Sequence, residues 1–226
     1  MGKIKTQPSK QAVRVLIVDD HPAVREGLAL RISRQPDMEV CGEAADVAEA
    51  LRCMTSARAD VVVVDVGLRN GNGLDLIKRI RARGNGVPIL VWSMHSETLY
   101  AERALRAGAM GYITKEQATE QIIGAIRRVY GGRVYLSDAF SESLLNRAVG
   151  KGRTATTQLP VDVLSDRELE VFHFIGEGLD TQQIAQRMHL SPKTVETYRA
   201  RMKDKLNLQS GSELLRHAMQ WALETA

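Results

Sequence analysis

Four polar sites stand at the ends of short apolar runs. They are Asp19-Asp20 after Val15-Leu16-Ile17-Val18, Asp65 after the four valines Val61–Val64, Ser93 after Ile89-Leu90-Val91-Trp92, and Lys115 after Tyr112-Ile113-Thr114. Three carboxylates, a hydroxyl and an ammonium are the parts of a divalent-cation and phosphoryl site, provided that the fold gathers them. Adjacent carboxylates suit a hard cation with octahedral oxygen ligation, meaning Mg²⁺ with several waters retained. A carboxylate is a weak nucleophile toward phosphate because both are anionic. A bridging cation removes that repulsion, and a lysine neutralises a further oxygen as charge develops. Asp65, alone after an all-valine run, is the nucleophile candidate, and the Asp19-Asp20 pair suits the metal. Taken singly, each residue has an ordinary reading: an aspartate after a strand is a turn former or helix cap, and a lysine or serine is surface. The joint arrangement carries the inference.

The elements that must position these residues follow from periodicity. Val13–Val18, Val40–Ala44, Val61–Val64, Pro88–Trp92 and Gly111–Ile113 are apolar runs suited to strands buried on both faces. Helix-length stretches separate them: Ala23–Arg34, Asp46–Thr55, Leu74–Ala82, Glu97–Ala107, which Gly108 terminates, and Gln117–Tyr130. Five strand–helix alternations predict a parallel sheet covered by helices on both faces, with the strand carboxyl ends converging on one crevice. A further helix is expected at Asp138–Ala148. The polar stretch Gly150-Lys151-Gly152-Arg153-Thr154-Ala155-Thr156-Thr157-Gln158 then reads as a flexible linker holding the domain boundary. The rest is helical: Asp166–Gly176, Thr181–Met188, Pro192–Leu206 and Gly211–Leu223. Ser165 with Glu168 forms a capping box, and Ser191 precedes a first-turn proline. The division expected is 13–131, 132–160 and 161–226.

Bulk properties bound the function classes. With 44% hydrophobic and 26% charged residues, the 226-residue chain has an ordinary globular composition. It has no eighteen-residue apolar run, and its basic N-terminus lacks the apolar core of a secretion signal. Cys41 and Cys53, without metal-ligand spacing, fit reduced thiols in a cytoplasmic protein. The net charge of +4 invites a nucleic-acid reading, yet from Pro160 onward eight Lys/Arg face ten Asp/Glu. Bulk charge therefore does not identify a DNA-binding module; local placement must, since only charges that reach phosphates contribute to affinity.

The motifs around the polar sites resemble a family. Val-Leu-Ile-Val-Asp-Asp-His-Pro at 15–22, Asp65 with Gly73 eight residues on, Trp-Ser-Met-His at 92–95 and Gly-Tyr-Ile-Thr-Lys at 111–115 are similar to a two-component receiver domain over residues 13–130. The resemblance implies a flavodoxin-like sheet of order 2-1-3-4-5. It implies Asp65 as phospho-acceptor, Asp20 as a direct Mg²⁺ ligand, Asp19 as a ligand through water, and the Gly67 carbonyl as another ligand. Lys115 would pair with the phosphoryl group and Ser93 would hydrogen-bond it. Tyr112 matches the aromatic that swings inward when the hydroxyl moves. One departure is Leu68-Arg69, where the family has a hydrophobic residue and then proline: Arg69 lacks the fixed φ and adds a cation.

Downstream, Thr181–Met188, the turn His189-Leu190-Ser191 and Pro192–Leu206 fit a helix-turn-helix, whose second helix enters the major groove. Val195, Tyr198, Met202 and Leu206 recur at core spacing, and five cations between 193 and 205 face only Glu196 and Asp204. A solvated charged face is the plain alternative. The full pattern, from Leu-Ser-Asp-Arg-Glu-Leu-Glu-Val through Leu-Ser-Pro-Lys-Thr-Val-Glu-Thr-Tyr to Lys-Leu-Asn, resembles a LuxR-type helix-turn-helix over about 162–224. With the receiver-like half, the chain looks like the NarL/FixJ class of response regulators. That resemblance implies DNA contacts from Lys193, Thr194, Glu196, Thr197, Ala200, Arg201 and Lys203, a sensor histidine kinase partner, and a homodimer when active. Thr197 and Ala200 suit thymine methyls, and Glu196, where many members carry lysine, suits cytosine. The last helix, with Leu214, Leu215, Ala218, Met219 and Leu223, is either the dimer contact or domain core.

Two rival readings remain. An aspartyl-phosphate phosphohydrolase also uses a strand-end aspartate and Mg²⁺, but places a second aspartate two residues on, where this chain has Val66-Gly67. A DNA-binding regulator with a phosphorylation-independent receiver is the other, and the intact acids and lysine argue against it.

Overall fold

The structure, a computed structural model, describes residues 12–68, 71–116, 121–149 and 160–225. Arg69, the stretch 117–120 and the linker expected at 150–158 lie outside the described residues. The chain forms two compact units, one up to Ser137 and one from Asp138.

The first unit is a five-stranded parallel sheet of β1 (Val13–Val18), β2 (Met38–Ala44), β3 (Val61–Val64), β4 (Ile89–Ser93) and β5 (Gly111–Thr114), in the order 2-1-3-4-5. The connecting helices are α1 (Pro22–Ser33), α2 (Val47–Ser56), α3 (Gly73–Ala82) and α4 (Glu97–Ala107), and α5 (Gln121–Tyr130) follows β5. Strand residues alternate between two buried faces, as a doubly wound sheet requires. Val15, Ile17, Val61, Val63, Leu90 and Trp92 share one core with Leu28 and Ile32 of α1 and Ile122, Ile126 and Val129 of α5. The intervening Leu16, Val62, Val64 and Val91 are equally buried. On that side, Leu16 lies so near Gly42 that an added Cβ there would stand 3.2 Å from its Cδ1.

The expectation of strands buried on both faces fails at β2. It pairs only with β1, and its middle residues Glu39–Glu43 are half-buried or exposed, as an edge permits. The other edge, β5, is covered. Tyr135 forms an isolated parallel bridge to Gly111, with Tyr112 N–H donating to Tyr135 O at 2.9 Å. Gly111 has to be glycine there, since a Cβ would stand 2.9 Å from that carbonyl oxygen. A short antiparallel hairpin, Gly67–Leu68 with Gly71–Asn72, was not anticipated from sequence.

The second unit contains α6 (Asp138–Ala148), a 3₁₀ turn (Pro160–Val163), α7 (Asp166–Gly176), α8 (Thr181–Arg187), α9 (Pro192–Leu206) and α10 (Gly211–Thr225). The capping box at Ser165 and Glu168 forms as its spacing predicts, and Asp180 with Gln183 makes a second at the start of α8. His189 (φ 53°) and Asn207 (φ 54°) take the left-handed conformation at the ends of the two helix-turn-helix elements. Gly176 lets α10 approach α7 closely: a Cβ would stand 2.6 Å from Ala218 O. Among the described residues, no helix is long and apolar enough to cross a membrane.

Candidate functional site

The carboxyl ends of β1, β3, β4 and β5 bring all four polar sites together. Lys115 Nζ lies 2.5 Å from both Asp19 Oδ2 and Asp65 Oδ2 and 5.6 Å from the Trp92 ring centroid. Ser93 Oγ donates to Asp65 Oδ1 at 2.7 Å, and Gly67 N–H reaches the same oxygen at 3.3 Å. Both Asp65 oxygens are thus held, one by the ammonium and one by neutral donors. Asp19, Asp65 and Ser93 are buried, and the backbone explains why they cannot move apart. Asp65 N–H donates to Val18 O, and Lys115 N–H to Ser93 O, each at 2.8 Å.

Charge in the site is unbalanced: three carboxylates cluster, and the one ammonium pairs with two of them, Asp19 and Asp65. Burial, and next the charge of Asp65, hold the Asp19 carboxyl above its ordinary value in spite of Lys115. Burial opposes the charge on Lys115 as well, but Asp65 and Asp19 outweigh it and hold the ammonium above the usual lysine value. Ligand atoms of Asp19, Asp20, His21 and Asp65 all lie within 4.8 Å of one another. Asp20 Oδ1 is a buried oxygen with no hydrogen bond, though His21 Nδ1 stands 2.9 Å away. An excess of carboxylate oxygen with one orphaned atom fits a hard divalent cation.

The structure adds details that the sequence did not specify. Asp19, expected to act through water, is the more deeply buried acid and the one paired with Lys115, while Asp20 carries the unpartnered oxygen. Lys115 pairs with two acids here. Tyr112, expected to swing, is fully buried, and its hydroxyl donates to His95 O at 2.8 Å. Burial, then the charge of Asp65, pushes its phenol well above the usual tyrosine value. Sequence reasoning gave no role to two histidines. His21 donates its N–H to Asp19 Oδ1 at 2.9 Å, and its ring faces both acids. His95 Nε2 would stand 3.4 Å from a Cβ at Gly67. The signal available was their placement two residues after Asp19 and Ser93.

In the second unit, Val195 and Met202 anchor α9 in the core and Tyr198 and Leu206 are half-buried. Lys193, Glu196, Thr197, Ala200 and Arg201 are exposed; Thr194 and Lys203 are half-buried. Three of these side chains have intramolecular partners, the first being Thr194, whose Oγ1 lies 2.9 Å from Ser191 Oγ. Thr181 Oγ1 donates to Glu196 Oε1 at 2.6 Å, joining α8 to α9, and Thr197 Oγ1 donates to Lys193 O at 2.9 Å. In α10, Leu214, Ala218 and Trp221 face the core, whereas Leu215, Met219 and Leu223 are exposed. The residues grouped as one contact therefore separate onto two faces. Leu214 and Ala218 are domain core because they sit on the side that meets α7.

A five-stranded parallel sheet with an acidic site at its carboxyl edge, followed by a helix-turn-helix unit, defines a phosphorylation-controlled transcriptional regulator. Residues 15–127 match the response regulator receiver domain, and residues 162–218 match the bacterial regulatory proteins of the luxR family. The chain belongs to the two-component response regulators that join a receiver domain to a LuxR-type helix-turn-helix. It is 35% identical to the oxygen regulatory protein NreC of Staphylococcus epidermidis RP62A over 211 residues, covering 92% of this chain and 97% of that one. NreC of Staphylococcus carnosus is 36% identical over 210 residues, with the same coverage. A solved two-component response regulator of the LuxR family from Aurantimonas sp. SI85-9A1 is 34% identical, with a TM-score of 0.57, over 62% of this chain and 99% of that one.

Proposed function

We propose that Asp65 is the phospho-acceptor, loaded by a partner histidine kinase, and that the aspartyl phosphate controls DNA binding by the helix-turn-helix unit. The observation that carries this reading is the clamp on Asp65: Lys115 at one carboxylate oxygen, Ser93 and Gly67 N–H at the other. In the transfer, an Asp65 oxygen forms the new O–P bond as the P–N bond of a phosphohistidine breaks, its electron pair returning to the imidazole. Lys115 and Ser93 already point at the reacting carboxylate, so small displacements bring both onto phosphoryl oxygens. Asp19, Asp20, Asp65 and the Gly67 carbonyl would hold Mg²⁺, which when bound neutralises charge between nucleophile and phosphate. Tyr112 lies inward beside Ser93, and its hydrogen bond to His95 O links the hydroxyl's position to the β4–α4 turn.

On the DNA side, exposed Lys193, Ala200 and Arg201 face the major groove, with Thr194 and Lys203 toward phosphates. With its hydroxyl on Lys193 O, Thr197 offers its methyl for thymine contact. Glu196 is tied to Thr181, which favours a role in setting the angle between the helices over direct cytosine recognition. The exposed stripe Leu215, Met219 and Leu223 is the dimer contact of the active form, reading half-sites about 34 Å apart. The chain works in the cytoplasm as a switch without turnover. The absence of an acid two residues after Asp65, where Gly67 stands, disfavours the phosphohydrolase reading. The receiver domain ends near 131 and the DNA-binding domain begins near 161.

Incubating wild type and Asp65→Asn with acetyl phosphate and Mg²⁺ tests the reading. Wild type gains one phosphoryl mass and binds DNA more tightly; the variant does neither. Phosphoryl gain without any change in DNA affinity would leave a receiver uncoupled from its output.

A further inference from the structure

A cavity of about 510 Å³ lies between α2 and α3, on a side of the receiver that the phosphoryl chemistry does not use. Three arginines line it: Arg52 from α2, Arg79 from α3, and Arg83, which caps the C-terminus of α3. None of the three forms an ion pair or side-chain hydrogen bond among the described residues. The one acid in the lining, Asp75, has Lys78 3.8 Å away. All three are exposed, yet they share the wall of one cavity although they come from two parts of the fold.

A second observation concerns Asn72, which forms part of the cavity wall and is fully buried. Its Oδ1 accepts from Leu74 N–H at 2.8 Å, capping α3. That bond settles which way the amide points, because the other orientation would set two donors against each other. The Nδ2 donor is left buried with no partner and with almost no accessible surface, so it lies behind the cavity wall while the arginines form its open face. Val47 and Leu51 supply apolar wall. The volume falls within the range of small-molecule sites, which pair apolar lining with a few convergent polar groups.

We propose that this cavity binds a small organic oxyanion: a phosphate or carboxylate, gripped by Arg52, Arg79 and Arg83, on an apolar body resting against Val47 and Leu51. Guanidinium forks match both oxyanions in bidentate geometry, so this shared chemistry defines the ligand class. The inference is independent of the role of Asp65.

Calorimetric titration of the full chain with four probes tests it: 1-naphthyl phosphate, 1-naphthoate, inorganic phosphate and 1-naphthol. At least one of the two naphthyl anions binds, and the better of them identifies the oxyanion. It binds at least about tenfold more tightly than 1-naphthol, which lacks the charge, as one charge-assisted contact or more requires. Inorganic phosphate, lacking the apolar body, binds more weakly than the naphthyl phosphate if that is the better anion. Arg79→Gln with Arg83→Gln, on an exposed helix face, weakens the better anion by about tenfold or more. Equal binding of naphthol and the anions, no binding by any naphthyl probe, or affinities unchanged in the arginine double variant would each overturn the proposal.

Discussion

Each unit of this protein pairs a buried carboxylate with a lysine, and the two pairs behave oppositely. In the receiver, Lys115 pairs with Asp19 and Asp65, Asp20 lies in the same acidic cluster, and the Asp19 carboxyl is held above its ordinary value. In the helix-turn-helix unit, Lys205 Nζ meets Glu168 Oε2 at 2.6 Å and Ser165 N–H donates to the same oxygen at 2.7 Å. Burial opposes the charge on Glu168 too, but Lys205 and Ser165 outweigh it, and its carboxyl is held below its ordinary value. One acid with a cation and backbone donors is a satisfied structural joint. Three acids with one cation form a site with negative charge in reserve, which is the condition for recruiting a metal and then a phosphoryl group. A buried ion pair alone does not identify a functional site; the balance of charge around it does.

Experiments that break this contrast can be ordered by size. Glu168→Ala orphans Ser165 N–H and the Lys205 ammonium; with Lys205 partly exposed, the loss of stability is about 2 kcal/mol. Calorimetry of the full chain would show it in the transition of the helical unit. Mg²⁺ at ten times its dissociation constant stabilises the receiver by about 1.4 kcal/mol and leaves the helical unit unmoved. Asp20→Ala should remove most of that gain, and a Mg²⁺ shift surviving unchanged would take Asp20 out of the metal site.

Asp19→Asn has the opposite sign from Glu168→Ala. It removes one of the competing charges while keeping an acceptor for His21 N–H, so the metal-free receiver gains roughly 1 kcal/mol. A loss as large as that of Glu168→Ala would erase the distinction between the two sites. The smallest effect is in pH dependence. Glu168, with a depressed folded value, contributes stability present above the ordinary glutamate value and lost as pH falls through the folded value. Asp19, with a raised value, contributes the reverse: folding is favoured as pH falls through its folded value. Glu168→Gln should therefore flatten the acid side of the helical unit's stability curve, and Asp19→Asn should steepen that of the receiver.

Much of this arrangement was legible in the chain. Apolar runs ending in Asp, Ser and Lys mark strand ends, because a parallel strand is buried on both faces until it emerges at the crevice. The capping box at Ser165 and Glu168 was legible because its pattern is local. The Asp180 and Gln183 box carries the same signal and was overlooked. Edge exposure of β2 was not legible, since strand order depends on contacts far apart in sequence. Nor was the splitting of α10: Leu214 and Leu215 are both leucine, and only the approach of α7 at Gly176 decides which of them is core.

The sequence by itself determined the strand–helix alternation, the placement of Asp, Ser and Lys at strand ends and the helix-turn-helix. Apolar periodicity, caps and turn residues act over a few residues and can be read there. Tertiary structure alone decided which acids Lys115 pairs with, that Tyr112 lies inward on His95, that Glu196 holds α8 to α9, and that Arg52, Arg79 and Arg83 line one cavity. Those outcomes depend on burial and on charges brought together from distant parts of the chain, and electrostatics in a desolvated crevice has no counterpart in local spacing.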